Sequence, residues 1–214
     1  MTFRYLASRG SLWFGFFART ASPFFCGSLG DEDRKKMDEV LPPRNYCAGV
    51  LVVSHVGGTV KALLGKGADG WSDFGGKNEW ADHRSKKATA LRELAEETLS
   101  AVDPSALVFS REPLTSETLT KKAYYMYVAW YDERAAHRAV GEFDRARANA
   151  RGVRLEKREL RWFDLASLET SFGFRMRSVF LDTLVKNRAG VERCVSALQR
   201  AVESDRERAS RIDG

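Results

Sequence analysis

The sequence lacks the residue groupings that mark a zinc site or a disulfide framework. It contains only three cysteines and three histidines, and no C-x-x-C pair. Zinc ligands and stabilising disulfides occur in clusters, whereas these residues fall on separate segments. We therefore interpret them as structural or solvent-exposed residues of a protein in a reducing compartment: Cys26, Cys47, Cys194, His55, His83 and His137.

Long uninterrupted apolar runs are also missing. The most apolar stretch, residues 12–29, is broken by Arg19, Pro23 and several Ser and Gly residues. Because a membrane-spanning helix needs roughly 20 mostly apolar residues, the sequence argues against a membrane protein. With 43% hydrophobic and 30% charged residues, the chain has enough apolar material for one ordinary globular domain with further segments attached.

Acidic residues are missing from residues 1–30, where Arg4, Arg9 and Arg19 are interspersed with Leu, Phe, Ser and Gly. This composition is typical of an organellar transit peptide and predicts a mitochondrial location, with a plastid or the cytoplasm as alternatives. A flexible or partner-binding arm is the other interpretation of the segment. The three arginines account for half of the formal net charge of +6, so the charge does not by itself indicate nucleic-acid binding.

The rest of the sequence intersperses strand patterns with helix patterns. Short apolar, β-branched or aromatic segments predict strands, and apolar residues three and four positions apart predict helices. Their alternation favours a sheet covered by helices. The predicted strands are 47–55, 60–64, 106–110, 123–131 and 160–163, and the predicted helices are 85–99, part of 132–150, 172–186 and 191–208.

Glycines divide the first part of this region. Gly57-Gly58 predicts the turn of a hairpin between the first two strands. Gly65, Gly67 and Gly70 predict a loop that leads into residues 71–76.

Three glutamates lie close together on the predicted helix 85–99. Glu93, Glu96 and Glu97 project their carboxylates from one helix face, where their repulsion favours a compensating cation. Arg92 supplies only part of that charge, and a hard divalent ion with oxygen ligands supplies the rest. The alternative is an ordinary solvated acidic face. The upstream Gly75-Gly76 pair, whose backbone can approach a ligand closely, favours the metal site.

Residues 75–79 (GGKNE) and 92–97 (RELAEE) together resemble the Nudix box, G-x5-E-x7-R-E-U-x-E-E-x-G-U with U aliphatic. The second half matches without a gap, Gly76 corresponds to the opening glycine, and 160–163 resembles a late strand of the family, so the likeness spans roughly 45–187. Asp82 stands where the box has Glu, and nine residues instead of seven separate it from Arg92. Leu99 and Ser100 replace the last glycine and aliphatic residue.

The resemblance implies an α/β fold, a Nudix-like α/β/α sandwich with a mixed sheet between helices. It places the hydrolase domain in residues 31–190 and a charged C-terminal helix in 191–214. By resemblance, Glu93, Glu96, Glu97 and the Gly76 carbonyl hold Mg²⁺ or Mn²⁺, Arg92 orients the carboxylates, and Glu93 or Glu96 is the base that activates water.

Several further residues are expected near the site. Asp82, Glu156 and Glu159 are candidates for an additional ligand or base, although the last two are equally interpretable as surface charges. Lys77, Trp71 and Phe74 are expected to bind substrate. Aromatic residues of the strand 123–131 are alternatives for base stacking or for core packing: Tyr124, Tyr125, Tyr127 and Trp130.

We therefore expect a metal-dependent pyrophosphohydrolase that cleaves a nucleoside diphosphate linked to another moiety, by attack of water on phosphorus. The D-F-G-G-K-x-E start and the lengthened box also resemble decapping members of the family, which adds the 5′ end or cap of RNA to the expected partners. The alternative is a catalytically weak Nudix-fold module that binds nucleotide or RNA. A helical scaffold that carries the motif by chance is the third interpretation.

Overall fold

The computed structural model describes residues 45–150, 154–170 and 175–212. Within these ranges, the strands are β1 (Cys47–Val56), β2 (Thr59–Gly67), β3 (Gly70–Ser72), β4 (Phe74–Lys77), β5 (Leu107–Phe109), β6 (Leu114–Glu117), β7 (Ala123–Tyr131) and β8 (Glu159–Asp164). The α-helices are α1 (Lys86–Glu97), α2 (Glu133–Asn149), α3 (Ser178–Lys186) and α4 (Arg188–Ile212). Single 3₁₀ turns occupy Trp80–Asp82, Pro104–Ala106 and Leu168–Thr170. The predicted transit segment, residues 1–30, lies outside the described residues.

The eight strands form one mixed sheet in which β1 has a central place. It pairs parallel with β7 and antiparallel with β2 and β4. β2 pairs in turn with β3 and β8, and β7 pairs with β5 and β6. A strand covered on both faces needs apolar residues at successive positions, which explains the fully buried run from Val50 to Val53 in β1.

Two hydrophobic clusters lie on opposite faces of the sheet. Leu94 of α1 and Phe143 of α2 belong to one cluster, and Phe180 of α3 and Val195 of α4 belong to the other. Because side chains alternate between the faces of a strand, consecutive residues of β1 and β7 contribute to different clusters. The expected sandwich, with a mixed sheet between helices, is confirmed. None of the helices described has both the length and the apolar composition of a membrane-spanning helix.

Most of the glycine-rich stretch 65–76 is strand and not the expected loop, and a two-residue turn, 68–69, joins β2 to β3. Gly65 and Gly67 end β2, and Gly70 begins β3. Gly75 and Gly76 lie in β4. These glycines are in strands because their backbones pair with neighbours: β2 with β8, and β4 with β1.

The helix expected over residues 172–186 begins only at Ser178. Residues 175–177 are bound to β3 instead: Trp71 N donates to Arg175 O at 2.8 Å, and Arg177 N donates to Trp71 O at 2.8 Å. This pairing holds the backbone away from helical geometry. Residues 172–174 lie outside the described part of the chain.

Helix α1 has a regular start and a strained exit. Ser85 caps its N-terminus by accepting a hydrogen bond from Ala88 N at 3.2 Å. After the helix, Leu99 and Ser100 have φ values of 52° and 58°, in the left-handed region that favours glycine. Leu99 stands where the Nudix box has its last glycine, and Ser100 stands at the aliphatic position that follows it.

We expect Ser100→Gly to raise the free energy of unfolding by about 1 kcal/mol, because glycine adopts positive φ without the Cβ clash. Ser100 is exposed, so little packing is lost with its side chain. Urea unfolding of the full chain measures the effect. Ser100→Ala is the matched control, since it removes the hydroxyl and keeps the Cβ. A glycine variant no more stable than the alanine variant would contradict the prediction.

Candidate active site

A cleft of about 850 Å³ opens between β4, α1, the turn before β7 and the start of α3. Its acidic lining residues are Asp69, Asp73, Glu79, Glu93 and Glu156, and its basic ones are Lys77, Lys122, Arg175 and Arg177. The cleft thus offers carboxylates to a cation and cations to an anion. A second cavity, of about 550 Å³, is lined mainly by residues next to β8, α3 and α4 and contains none of the predicted site residues.

The carboxylate of Glu93 lies directly against the backbone of Gly76. A Cβ added to Gly76 would stand 2.5 Å from the carboxyl carbon and from both oxygens of Glu93. The pairing of β4 with β1, with Gly76 opposite Ala48, fixes the backbone at this place. Burial raises the pKa of Glu93 to about 7, and the neighbouring Arg92 opposes the shift. The structure therefore joins the two halves of the motif at this contact.

Arg92 connects the acidic helix to the end of β4. Its Nη1 lies 2.9 Å from Glu93 Oε1 and 3.0 Å from Glu96 Oε2. Its Nη2 donates to the Lys77 carbonyl at 2.7 Å, and its Nε donates to Asp82 Oδ1 at 3.1 Å. With these contacts, Arg92 can hold the carboxylates of Glu93 and Glu96 in position. Lys77 itself lines the cleft and is exposed.

Asp82 is bound within the turn before α1 and does not line the cleft. Its side chain is 3% exposed. Oδ2 accepts from Glu79 N and from Thr89 Oγ1, both at 2.8 Å, and Oδ1 accepts from Arg92 Nε. Although burial raises the pKa of Asp82, the hydrogen bonds hold it below its ordinary value. Because both oxygens already have protein donors, Asp82 is a structural residue, which corrects its candidacy as a ligand or base.

Glu97 lies beneath β4 and is paired with a buried lysine. Its Oε2 accepts from Gly75 N at 2.9 Å, and its Oε1 lies 3.4 Å from Lys157 Nζ. Burial raises the pKa of Glu97 to about 7, and Lys157 opposes the shift. The sequence reasoning missed Lys157, because a lysine in the mixed-charge run 156–159 has the pattern of a surface residue.

The other expected glutamates divide between the cleft and the surface. Glu96 is exposed, with 60% of its side chain accessible, and is paired with Arg92. Glu156 lines the cleft. Glu159 pairs with Arg161 at 2.6 Å and with Lys66 at 3.8 Å, on the surface of β8 and β2. Glu159 is therefore a surface charge, which corrects its candidacy as a ligand.

Trp71 and Phe74 lie in the core, which corrects the expectation that they bind substrate. They are 3% and 0% exposed, and Trp71 packs edge-on against Phe163. Most of the β7 aromatics are also buried. Trp80 is an exposed aromatic residue, 94% accessible, that directly follows the cleft residue Glu79. It lies between the two halves of the motif, a position that could have drawn attention to it.

No group of three or more His, Cys, Asp or Glu side chains in the described part of the chain is arranged to hold a metal ion. The three glutamates of the motif are each paired with a cation, Glu93 and Glu96 with Arg92 and Glu97 with Lys157. Of these three, Glu93 is the one that lines the cleft, with the backbone of Gly76 beside it. Carboxylate and backbone oxygens are the donors that a hard divalent ion prefers, so these residues fit such an ion at Glu93.

The described residues thus form a sandwich in which an acidic helix meets a glycine strand at the wall of a charged cleft. The chain is similar to a Nudix hydrolase from M. smegmatis, RenU, at 16% identity over 70% of this chain and 87% of that chain, with a TM-score of 0.47. It is also similar to a mutT/nudix family protein from Listeria innocua (18% identity, 71% and 96% covered, TM-score 0.49) and to a C. elegans Ap4A hydrolase (17%, 67% and 98%, TM-score 0.45). No protein-family model and no curated protein sequence matches the chain.

Proposed function

We propose that the chain is a metal-dependent pyrophosphohydrolase of the Nudix type that acts on a nucleoside diphosphate linked to another moiety. The observation that carries the proposal is the Glu93 carboxylate, 10% exposed and held against Gly76 at the wall of the cleft. Lys122 and Arg177 line the same cleft, so it holds positive charge for phosphate as well as a carboxylate for a cation.

Bound Mg²⁺ or Mn²⁺ would supply charge neutralisation for the phosphates and a water of lowered pKa. Glu93 is the residue on which this chemistry depends, because it lies in the cleft and its pKa of about 7 suits both a ligand and a general base. Arg92 holds Glu93 and Glu96 in position. Glu96 is 60% exposed and is not among the residues that line the cleft, which makes it the second candidate for the base.

A substrate panel tests the proposal. The full chain is incubated with Mg²⁺ and dinucleotides, sugar nucleotides, NADH, CoA, and capped or triphosphorylated RNA, and the products are identified by mass spectrometry. In ¹⁸O-labelled water, the label should enter a phosphate product, because water attacks phosphorus. RNA or nucleotide that binds and stays intact would favour the binding module over the hydrolase.

We expect the thermal stabilisation by Mg²⁺ to increase as the pH rises from 6 to 8. Below its pKa of about 7, Glu93 is protonated and a metal must displace the proton; above it, the carboxylate is free to bind. Differential scanning fluorimetry with and without Mg²⁺ measures the shift in Tm at each pH. In Glu93→Gln the shift should be small throughout. A shift that is constant with pH in the unmodified chain, or larger at pH 6, would count against the metal site.

The nucleotide part of the proposal predicts that Trp80 stacks on the substrate base. The turn that carries Trp80 is fixed by reciprocal contacts between Glu79 and Asp82. Stacking of a base on an aromatic side chain is worth about 1–3 kcal/mol, so Trp80→Ala should raise KM about tenfold with little change in kcat. Trp80→Phe should keep most of the affinity, and Val185→Ala, at an exposed apolar residue of α3 that does not line the cleft, is the control. An unchanged KM in Trp80→Ala would contradict the stacking.

A further inference from the structure

We propose that Lys157 is a resident cation of the active site, which neutralises Glu97 so that a divalent ion binds through Glu93 and not through Glu97. The inference rests on the proposed function, because it concerns the metal of the same site. In a motif of three acidic ligands, bound metal would neutralise all three carboxylates. Here we assign the neutralisation of Glu97 to Lys157.

The ammonium of Lys157 is held by three oxygen atoms in the interior. Nζ donates to Ser72 Oγ at 2.7 Å and to the Asp73 carbonyl at 3.1 Å, and it lies 3.4 Å from Glu97 Oε1. The side chains of Lys157 and Glu97 are only 4% and 5% exposed. A buried ammonium is costly unless a carboxylate compensates it, and Glu97 is the carboxylate in contact.

The neighbouring strand leaves space for this lysine. A Cβ on Gly65 of β2 would lie 2.7 Å from Cδ and 2.8 Å from Cγ of Lys157. A larger residue at position 65 would therefore displace the side-chain stem and with it the ammonium. The side-chain stem of Lys157 therefore packs against Gly65, and this packing places the ammonium next to Glu97.

The contacts of Glu97 leave it little capacity for a metal. One of its oxygens accepts from Gly75 N, and the other faces the ammonium. A divalent ion at Glu97 would have to approach Lys157 Nζ closely, and two cations repel strongly in a buried environment. Lys157 and a metal therefore compete for Glu97. Glu93, on the cleft side of the same helix, is also paired with a cation, since Arg92 Nη1 lies 2.9 Å from its Oε1. The side chain of Arg92 is more exposed than that of Lys157, 18% against 4%, and Glu93 lines the cleft, so an ion from solvent can reach its carboxylate.

Mn²⁺ binding to the full chain, measured by calorimetry and by the electron paramagnetic resonance of free Mn²⁺, tests the proposal without substrate or turnover. Glu97→Gln should change the Kd for Mn²⁺ less than about threefold, whereas Glu93→Gln should weaken binding at least about tenfold. Lys157→Met frees Glu97 and should add a second Mn²⁺ or tighten binding at least about tenfold. The double variant Lys157→Met with Glu97→Gln should return to the stoichiometry of the unmodified chain.

Lys66→Met, at an exposed lysine of β2 paired with Glu159, controls for the loss of one positive charge and should leave Mn²⁺ binding unchanged. The proposal is overturned if Glu97→Gln weakens binding as much as Glu93→Gln, or if folded Lys157→Met binds Mn²⁺ as the unmodified chain does. Should Lys157→Met fail to fold, the comparison of the two glutamine variants decides. If the unmodified chain binds no Mn²⁺, the proposed metal-dependent hydrolase is contradicted. In that case, Mn²⁺ binding by Lys157→Met would still support competition between Lys157 and a metal for Glu97. A Lys157→Met chain that also binds no Mn²⁺ would overturn that competition.

Discussion

Glu93→Gln should lower kcat/KM for the best substrate of the panel by about a thousandfold, on the order of the loss of a principal electrostatic group in an active site. Glutamine has nearly the size of glutamate, so the close contact with Gly76 is preserved and only the charge is removed. The loss should therefore appear in kcat and in metal affinity, with the fold intact. Steady-state kinetics at saturating Mg²⁺, together with circular dichroism, measure both.

A matched control is Glu207→Gln, the same change at an exposed residue of α4. It should leave kcat/KM unchanged. Full activity of a folded Glu93→Gln chain would remove Glu93 from the site and with it the main support for the proposed hydrolase.

Gly76→Ala should reduce activity at least about a hundredfold, because displacement of a reacting group by about 1 Å costs that much. The added methyl would stand 2.5 Å from the Glu93 carboxylate, so either Glu93 or β4 must move. Gly76 has no positive φ, and the alanine backbone is therefore not strained in itself. The effect should be a loss of kcat with a smaller loss of stability, measured by kinetics and urea unfolding.

Gly141→Ala provides the control for a glycine replaced by alanine. Gly141 lies in α2, where, among the described residues, a Cβ would meet only Arg145 Nη1, at 4.0 Å. It should raise the free energy of unfolding by about 0.5–1 kcal/mol and leave activity unchanged. If Gly76→Ala were as harmless as Gly141→Ala, the close approach of Glu93 to Gly76 would have no functional meaning.

The main elements of the fold follow from local patterns. The continuous apolar, β-branched run of the first strand, the helical spacing after Ser85 and the aromatic run 123–131 each predict an element that the structure contains. The element boundaries that were predicted wrongly depend on strand pairing between segments far apart in the sequence. Residues 65–76 look like a loop because glycine serves both turns and crowded strands, and only the pairing with β1 and β8 decides between them.

The sequence predicts which glutamates lie close together at the site, but not which residues contact them. Helical geometry brings Glu93, Glu96 and Glu97 together, yet the structure leaves Glu96 exposed and buries the other two. The difference arises from groups far along the chain, above all Lys157, which no local pattern connects to the motif. The sequence also does not reveal that Trp71 and Phe74 are buried, because the strands and helices that cover them come later in the chain.

The most direct test of the central claim is the position of Mn²⁺ in crystals of the full chain soaked with MnCl₂, located by anomalous diffraction. We expect a peak within bonding distance of the Glu93 carboxylate and next to the backbone of Gly76. Manganese bound only elsewhere, with Glu93 still paired to Arg92, would contradict it.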